Sequence, residues 1–247
     1  LVTIGFLASC SSSKTQLTRV KAINIPITDT ISQKAEIENF ITPYREHISS
    51  EMSTVLAQNP ADLVKDRNEK ALNTAIGNFM ADATFEIVNP LYKKRTGKDI
   101  DFVMLNWGGI RSDLPKGDVT VGSVYDIMPF ENKVVVLTMS GEKVQELLNY
   151  LIKERKPHPL SKQIDLQITK DGKVVHFNIK GKPFDSKATY IVATSDYLMN
   201  GGDAMYFFEN SLKVEETDYK LRNVLIDYFK KIDVLDAKKD NRFEYKL

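Results

Sequence analysis

The chain has 247 residues, 42% of them hydrophobic, enough to bury a sizeable core and within the range of one large domain or two small ones. Its 34 Lys and Arg are balanced by 33 Asp and Glu interleaved along the chain, which leaves no basic stripe for a nucleic-acid polymer. The single cysteine, Cys10, excludes an intramolecular disulfide and a zinc held by a cluster of thiolates.

In chain order, Leu1 to Leu7 is short and largely apolar, Leu7-Ala8-Ser9 sets small residues before Cys10, and Ser11-Ser12-Ser13-Lys14 turns abruptly polar. This stretch resembles the lipobox at the end of a bacterial lipoprotein signal peptide. The resemblance implies a leader over residues 1–10, lipidation of Cys10, a polar tether over 11–18 and an extracytoplasmic chain anchored to a bacterial membrane, periplasmic or at the cell surface. A frayed apolar terminus with a free thiol is the alternative. No other segment approaches the ~20 apolar residues of a membrane span. Residues 19–247 read as one domain.

From Ser32, the residues Ile37, Phe40, Ile41, Tyr44, Ile48, Met52, Val55 and Leu56 recur at intervals of three and four, which predicts a helix with one buried face, kinked or started by Pro43. Ile76, Phe79, Met80, Ala83 and Ile87 predict a second helix, stopped by Pro90. The short apolar run Asp101–Leu105 has the profile of a buried strand and delivers Asn106-Trp107-Gly108-Gly109-Ile110-Arg111.

Residues 118–121 and 134–138 read as strands, and Val144, Leu147, Leu148, Leu151 and Ile152 as the face of a helix. Residues 163–169 and 174–180 flank Lys170-Asp171-Gly172-Lys173, a hairpin signal because Asp-Gly accepts the positive φ of a tight turn. The strand predicted over 189–194 runs towards Met199-Asn200-Gly201-Gly202-Asp203, and a last helix is expected from about Thr217, with Leu221, Val224, Leu225, Tyr228, Phe229 and Ile232 on one face. Helices, hairpins and crossovers together give an α+β fold, with mixed β-sheets covered by helices.

The chemistry these residues offer is that of a binding surface. His47, His158 and His176 lie in three unrelated segments without metal-ligand spacing, so each reads as a surface or packing residue, His158 in an exposed basic loop between two prolines. No Gly-x-Ser-x-Gly elbow, phosphate loop or dinucleotide fingerprint occurs. The two Gly-Gly stretches suit close approach of backbone to a ligand: Asn106 can donate and accept, Arg111 can hold an anion in a fork, and Asp203 has the acceptor oxygens for a vicinal diol. Phe130, in Pro129-Phe130-Glu131-Asn132, and Tyr197 supply two rings from two loops, a clamp for a flat heterocycle. Anion, diol and base together describe a nucleotide.

The stretches "NWGGIRSDLPKGDVTVGSVYDIMPFENKVVVLTMSGEKVQELL" (residues 106–148), "YIVATSDYLMNGGDAMYFF" (190–208) and "GNFMADA" (77–83) resemble the C-terminal domain of the 5′-nucleotidases, the group that includes UDP-sugar hydrolase and 2′,3′-cyclic-nucleotide phosphodiesterases. The resemblance runs from about residue 60 to the end. It implies that Phe130 and Tyr197 sandwich a base, that Asn106 and Asn132 touch its edge, that Asp203 holds the ribose hydroxyls, and that Arg111 lies towards ribose or phosphate; Gly109 is counted with them among the substrate-binding residues.

Family members carry an Arg and a Glu before the "GN" segment where this chain has Lys70-Ala71-Leu72-Asn73-Thr74, so Lys70 or Arg67 is the expected phosphate-side substitute. In the family a separate N-terminal metallophosphatase domain with two divalent metals cleaves the phosphate. Nothing before residue 60 resembles it, so the chain is expected to carry no cofactor or metal and to position the nucleotide for a separately encoded metallophosphatase. A stand-alone extracytoplasmic nucleoside-binding lipoprotein is the alternative.

Overall fold

A computed structural model describes residues 16–66 and 68–246. Cys10, with the leader and most of the tether, and Arg67 lie outside the described residues. The chain divides into two compact units, Leu1–Tyr44 and Arg45–Leu247.

In the first unit, residues 16–28 form no regular secondary structure, and a turn closes with the Ile31 N–H donating to the Thr28 carbonyl at 3.0 Å. Helix α1, Ala35–Met52, begins here and ends in the second unit. The expected buried face is not found. None of its residues is buried, Pro43 lies inside it, and Val55 and Leu56 belong to the strand that follows.

The second unit holds three sheets. Strands β1 (Val55–Asn59) and β3 (Gly117–Thr120) form an antiparallel pair. A four-stranded sheet runs in the order β2 (Phe102–Val103), β8 (Thr189–Ser195), β4 (Lys133–Ser140) and β9 (Lys213–Lys220). The other runs β10 (Phe243–Tyr245), β5 (Ile164–Ile168), β6 (Val174–Ile179) and β7 (Lys182–Pro183), and its β5–β6 pair is the hairpin expected around Asp171-Gly172. Both four-stranded sheets mix parallel and antiparallel pairs, as an α+β chain with hairpins and crossovers requires.

Strand β4 shows why this sheet needs helices on both faces. Val134 and Val136 enter one hydrophobic core while Val135, Leu137 and Met139 enter the other, because alternate side chains of a strand point to opposite faces. The first core is completed by Ile76, Phe79, Met80, Ala83 and Ile87 of α2 (Ala75–Thr96) and by Val224, Leu225 and Phe229 of α6 (Leu221–Phe229). The second is completed by Val144, Leu147, Leu148 and Leu151 of α4 (Gly141–Glu154).

Two boundaries differ from expectation for local reasons. Pro90 does not stop α2: it sits in the interior, and the helix runs on until Gly97 takes the left-handed conformation and its N–H caps the Lys93 carbonyl at 2.8 Å. Residues 217–220, expected to open the last helix, instead close β9 (Lys213–Lys220), whose carbonyls and amides pair antiparallel with β4; the helix starts only at Leu221. Strand β3 likewise ends at Thr120, whose hydroxyl caps α3 (Val121–Ile127) by accepting from the Ser123 N–H at 3.1 Å.

The register of the central sheet brings three loops to one edge. Strands β2 and β8 are parallel and pair Phe102 with Val192, so the loops after both leave the same edge. Strand β4 is antiparallel to β8 and pairs Val134 with Ser195, so the loop that precedes β4 enters at that edge too. Among the described residues, no helix is long and apolar enough to cross a membrane.

Truncating Leu147, which is fully buried in the second core, leaves a cavity that α4 and β4 cannot both close. Leu147→Ala is expected to cost about 2–5 kcal/mol, read as a lowered urea midpoint at unchanged denaturant slope.

Candidate functional site

At the loop edge, one cleft of about 280 Å³ is lined by Asn106, Gly108, Gly109, Arg111, Phe130, Asn132, Tyr197 and Asp203. All seven residues that sequence reasoning singled out for binding lie in it, together with Gly108. They come from the loop after β2, the loop before β4 and the loop after β8, which is why positions nearly a hundred residues apart face one space.

The two Gly-Gly loops are tied to each other by Asp203. Its carboxylate accepts from Asn106 Nδ2 at 2.8 Å and from the Tyr197 hydroxyl at 3.0 Å, one donor to each oxygen. Its backbone carbonyl accepts from the Tyr150 hydroxyl at 2.9 Å. Asp203 (φ 52°) and Ala204 (φ 58°) are consecutive non-glycine residues in the left-handed region, a conformation costing on the order of 1 kcal/mol or more each that the three hydrogen bonds hold in place. The hydrogen bond to Asp203 raises the pKa of the Tyr197 phenol and keeps it a donor.

Glycine is required by close approach at two points. A Cβ on Gly202 would stand 2.5 Å from the Tyr197 ring, and one on Gly109 would stand 2.8 Å from Asn106 Oδ1. Either addition would displace a side chain that reaches Asp203.

Phe130 and Tyr197 are 38% and 44% exposed, large rings left partly in solvent at the mouth of the cleft. The Arg111 guanidinium lies 5.7 Å from the centroid of the Phe130 ring and donates to the Gly108 carbonyl at 3.4 Å. Arg111 also lines an adjoining hollow of about 720 Å³, with Lys65, Trp107, Ile110, Ser112 and Asp113. Lys70, the expected phosphate-side substitute, is exposed and lines neither space. Lys65 lies closer to Arg111's side of the site, its ammonium hydrogen-bonded to the Ile110 carbonyl and 5.1 Å from the centroid of the Trp107 ring.

Two supporting residues were not legible as such. Arg222 is buried in the first turn of α6, donates from Nη1 to the carbonyls of Pro129 and Phe130 at 3.2 Å each, and pairs through Nη2 with Glu131. It also stacks 4.0 Å from the Tyr125 ring centroid, so the loop carrying Phe130 is clamped on a fixed charge. Hydrogen bonds from Lys220 and Arg222 hold the Glu131 carboxyl down at about 2. The only hint in the sequence was an arginine at the head of an apolar helix face.

His158 corrects a sequence expectation. It is not in an exposed loop: it is 3% exposed, and residues 157–161 are all buried. Its Nδ1 accepts from the Trp107 N–H at 3.2 Å, and its ring packs 5.5 Å from that of Tyr150. It therefore stands between the residue that opens the first Gly-Gly loop and the tyrosine that bonds the second. The absence of charge from Pro157 to Ser161 was the signal for burial. Among the described residues, no group of three or more His, Cys, Asp or Glu side chains could hold a metal ion.

Burial pushes His158 down to about 4, with the nearby Asp203 charge opposing. The unfolded chain takes up this proton near its ordinary value of about 6.5, whereas the folded chain resists until about 4. The stability this ring confers is fully present above about pH 6.5 and declines as pH falls towards 4, by about 3 kcal/mol across the window. Urea midpoints at pH 7, 5.5 and 4.5 should fall more steeply for the native chain than for His158→Asn, which keeps an acceptor for Trp107 without a titrating ring; equal slopes would contradict the assignment.

Comparisons with known proteins agree with this architecture. Residues 53–210 match the family model of the 5′-nucleotidase, C-terminal domain. UshA of Escherichia coli K12 is 26% identical over 222 residues, which cover 88% of this chain and 38% of that protein. The 5′-nucleotidase of Vibrio parahaemolyticus is 26% identical over 215 residues, 85% of this chain and 36% of its own. Among solved structures, the 5′-nucleotidase precursor from Thermus thermophilus superposes with a TM-score of 0.68 at 24% identity, covering 84% of this chain and 42% of that one. A putative 5′-nucleotidase from Staphylococcus aureus superposes with a TM-score of 0.64 at 18% identity, covering 89% and 45%. The chain thus spans less than half the length of these relatives, and its matched stretch includes every residue of the cleft. The chain belongs to the 5′-nucleotidase C-terminal domain family.

Proposed function

We propose that this chain binds the nucleoside part of a nucleotide in the cleft at the loop edge and positions its phosphate for a metallophosphatase. The observation that carries this reading is the convergence of two partly exposed rings, a two-oxygen acceptor and a guanidinium on one space of about 280 Å³. Phe130 and Tyr197 take the faces of the base. Asn106 and Asn132 take its edge. Asp203 takes the ribose hydroxyls, because a carboxylate has about four lone-pair sites and Asn106 and Tyr197 use two of them. Arg111, between the cleft and the adjoining hollow, takes the phosphate side.

Membership of the family supports this assignment of roles, and the relatives, 5′-nucleotidases among them, point to the substrate class. The chemistry of hydrolysis is assigned elsewhere. In this reading the metals belong to a metallophosphatase partner, separately encoded, to which this chain presents the nucleotide. Holding base and ribose then converts a bimolecular encounter between phosphate and metals into an oriented one. The lipobox reading of Cys10 adds that the complex works outside the cytoplasm, tethered by a lipid.

Calorimetric titration of the chain with AMP, adenosine, UMP and UDP-glucose tests the pocket. Phe130→Ala is expected to weaken binding roughly 5- to 100-fold, the loss of one stacking face. Asp203→Asn is expected to weaken it by about tenfold or more, since an amide has one acceptor oxygen where the carboxylate offers two. Absence of binding at millimolar ligand, or indifference to both substitutions, would refute the pocket assignment.

A second measurement concerns catalysis. With AMP and added Mn²⁺, the purified chain alone is expected to release no phosphate, and release should begin when a metallophosphatase partner is supplied. Turnover by the chain alone would overturn the division of labour.

A further inference from the structure

The cleft does not end at its aromatic rings. Beyond Asn132 and Tyr197, which line both spaces, it continues into a second hollow of about 460 Å³ lined by Asp196, Asn200, Gly201 and Gly202. None of the roles proposed above uses this space.

The Tyr197 ring sets the direction in which a ligand would enter it. Its hydroxyl, at one end of the ring, donates at 3.0 Å to Asp203, the carboxylate assigned to the ribose. At the other end the ring joins its own backbone, whose N–H donates to Asp196 Oδ1 at 2.7 Å. A base stacked along this ring with its ribose at Asp203 therefore turns the edge opposite the glycosidic bond towards Asp196. In adenine that edge carries the exocyclic amine.

Acceptors without donors stand at that end. Asp196 is half-buried, its Oδ1 is taken by the Tyr197 N–H, and its Oδ2 makes no hydrogen bond among the described residues. The carboxylate has no ion-pair partner among them either, since Lys133, the cation whose field it shares, is committed to Asp218 at 2.8 Å. Asn200 donates from Nδ2 to the Asp196 carbonyl at 2.8 Å, which leaves its Oδ1 as an acceptor. A half-buried carboxylate with no cation of its own attracts an ammonium more strongly than a fully solvated one does.

From this we infer that the hollow is a subsite for a short, positively charged substituent on the exocyclic nitrogen of the base, so that the chain accepts purine nucleosides and nucleotides whose N⁶ group ends in an amine. The inference rests on the functional reading above and adds a substrate class to it. Charge along the site agrees. Arg111 and Lys65 line the hollow on the phosphate side, against Asp113 alone, whereas Asp196 is the one charged residue lining the hollow at the base end. A ligand with phosphate at one end and an ammonium at the other matches that polarity.

Other occupants fit less well. A phosphate or carboxylate would face the Asp196 charge. A second base, as in a dinucleotide, would have only the Tyr197 ring to stack on, and the Gly202 backbone already lies against it, close enough that a Cβ there would stand 2.5 Å from the ring. An apolar substituent would cover Asp196 Oδ2 and Asn200 Oδ1 without giving either a donor.

The test is calorimetric titration of the full chain with adenosine, N⁶-(2-aminoethyl)adenosine and N⁶-propyladenosine, the last two alike in length and different by one charge. The ammonium analogue is expected to bind about three- to tenfold tighter than the propyl analogue, a preference that shrinks at high salt. Asp196→Asn keeps an acceptor for the Tyr197 N–H and is expected to bring the two analogues within twofold of each other. Asp196→Lys is expected to reverse the order, so that N⁶-(2-carboxyethyl)adenosine binds tighter than the ammonium analogue.

Analogues that bind the native chain alike, a preference that survives Asp196→Asn, or exclusion of both analogues while adenosine binds would overturn the subsite and leave the nucleoside reading standing. If none of the three ligands binds at millimolar concentration, the nucleoside reading falls and the subsite with it.

Discussion

The site depends on one carboxylate. Asp203 is the point where a loop leaving β2 and a loop leaving β8 become a single object, because each sends one donor to a different oxygen of the same group. Without it, the two Gly-Gly segments would be neighbours at a sheet edge with no fixed separation. With it, Asn106 and Tyr197 are set at hydrogen-bond distance from a common centre, and the left-handed pair Asp203–Ala204 is held against its own backbone cost. The same carboxylate retains acceptor capacity facing the cleft, so the group that organises the site is also suited to meet a ligand.

Around that centre the protein uses fixed groups where flexible ones would blur the geometry. Arg222 pins the backbone of Pro129 and Phe130 from beneath, with its guanidinium buried and its charge answered by Glu131. His158 holds the Trp107 N–H from the other side, and Tyr150 spans from the His158 ring to the Asp203 carbonyl. None of these three lines the cleft. Each fixes a backbone group in a loop that does, so rotamer freedom is removed from the scaffold and left to Arg111, whose long side chain faces two spaces.

What the sequence disclosed follows from the range of each interaction. Periodicity exposed α2, α4 and the β5–β6 hairpin, whose signals are local and whose faces are buried. The residues of the cleft were readable because their chemistry is unusual for loops: two adjacent glycines beside an amide, a guanidinium and rings. Strand β9 was not readable, since Lys213-Val214-Glu215-Glu216-Thr217 has little apolar alternation and becomes a strand only through pairing with β4. Pro90 misled for a related reason: burial of Ile87, Val88 and Tyr92 on either side of it outweighs one missing hydrogen bond. His158 was hidden because the two prolines and flanking lysines that suggested exposure say nothing about Tyr150 and Trp107, which arrive from elsewhere in the chain.

Helix α1 teaches the opposite lesson. Its periodicity predicted a buried face, yet none of its residues is buried. A pattern of that kind is a statement about free energy: apolar area repeated at 3.6 residues costs solubility unless something covers it.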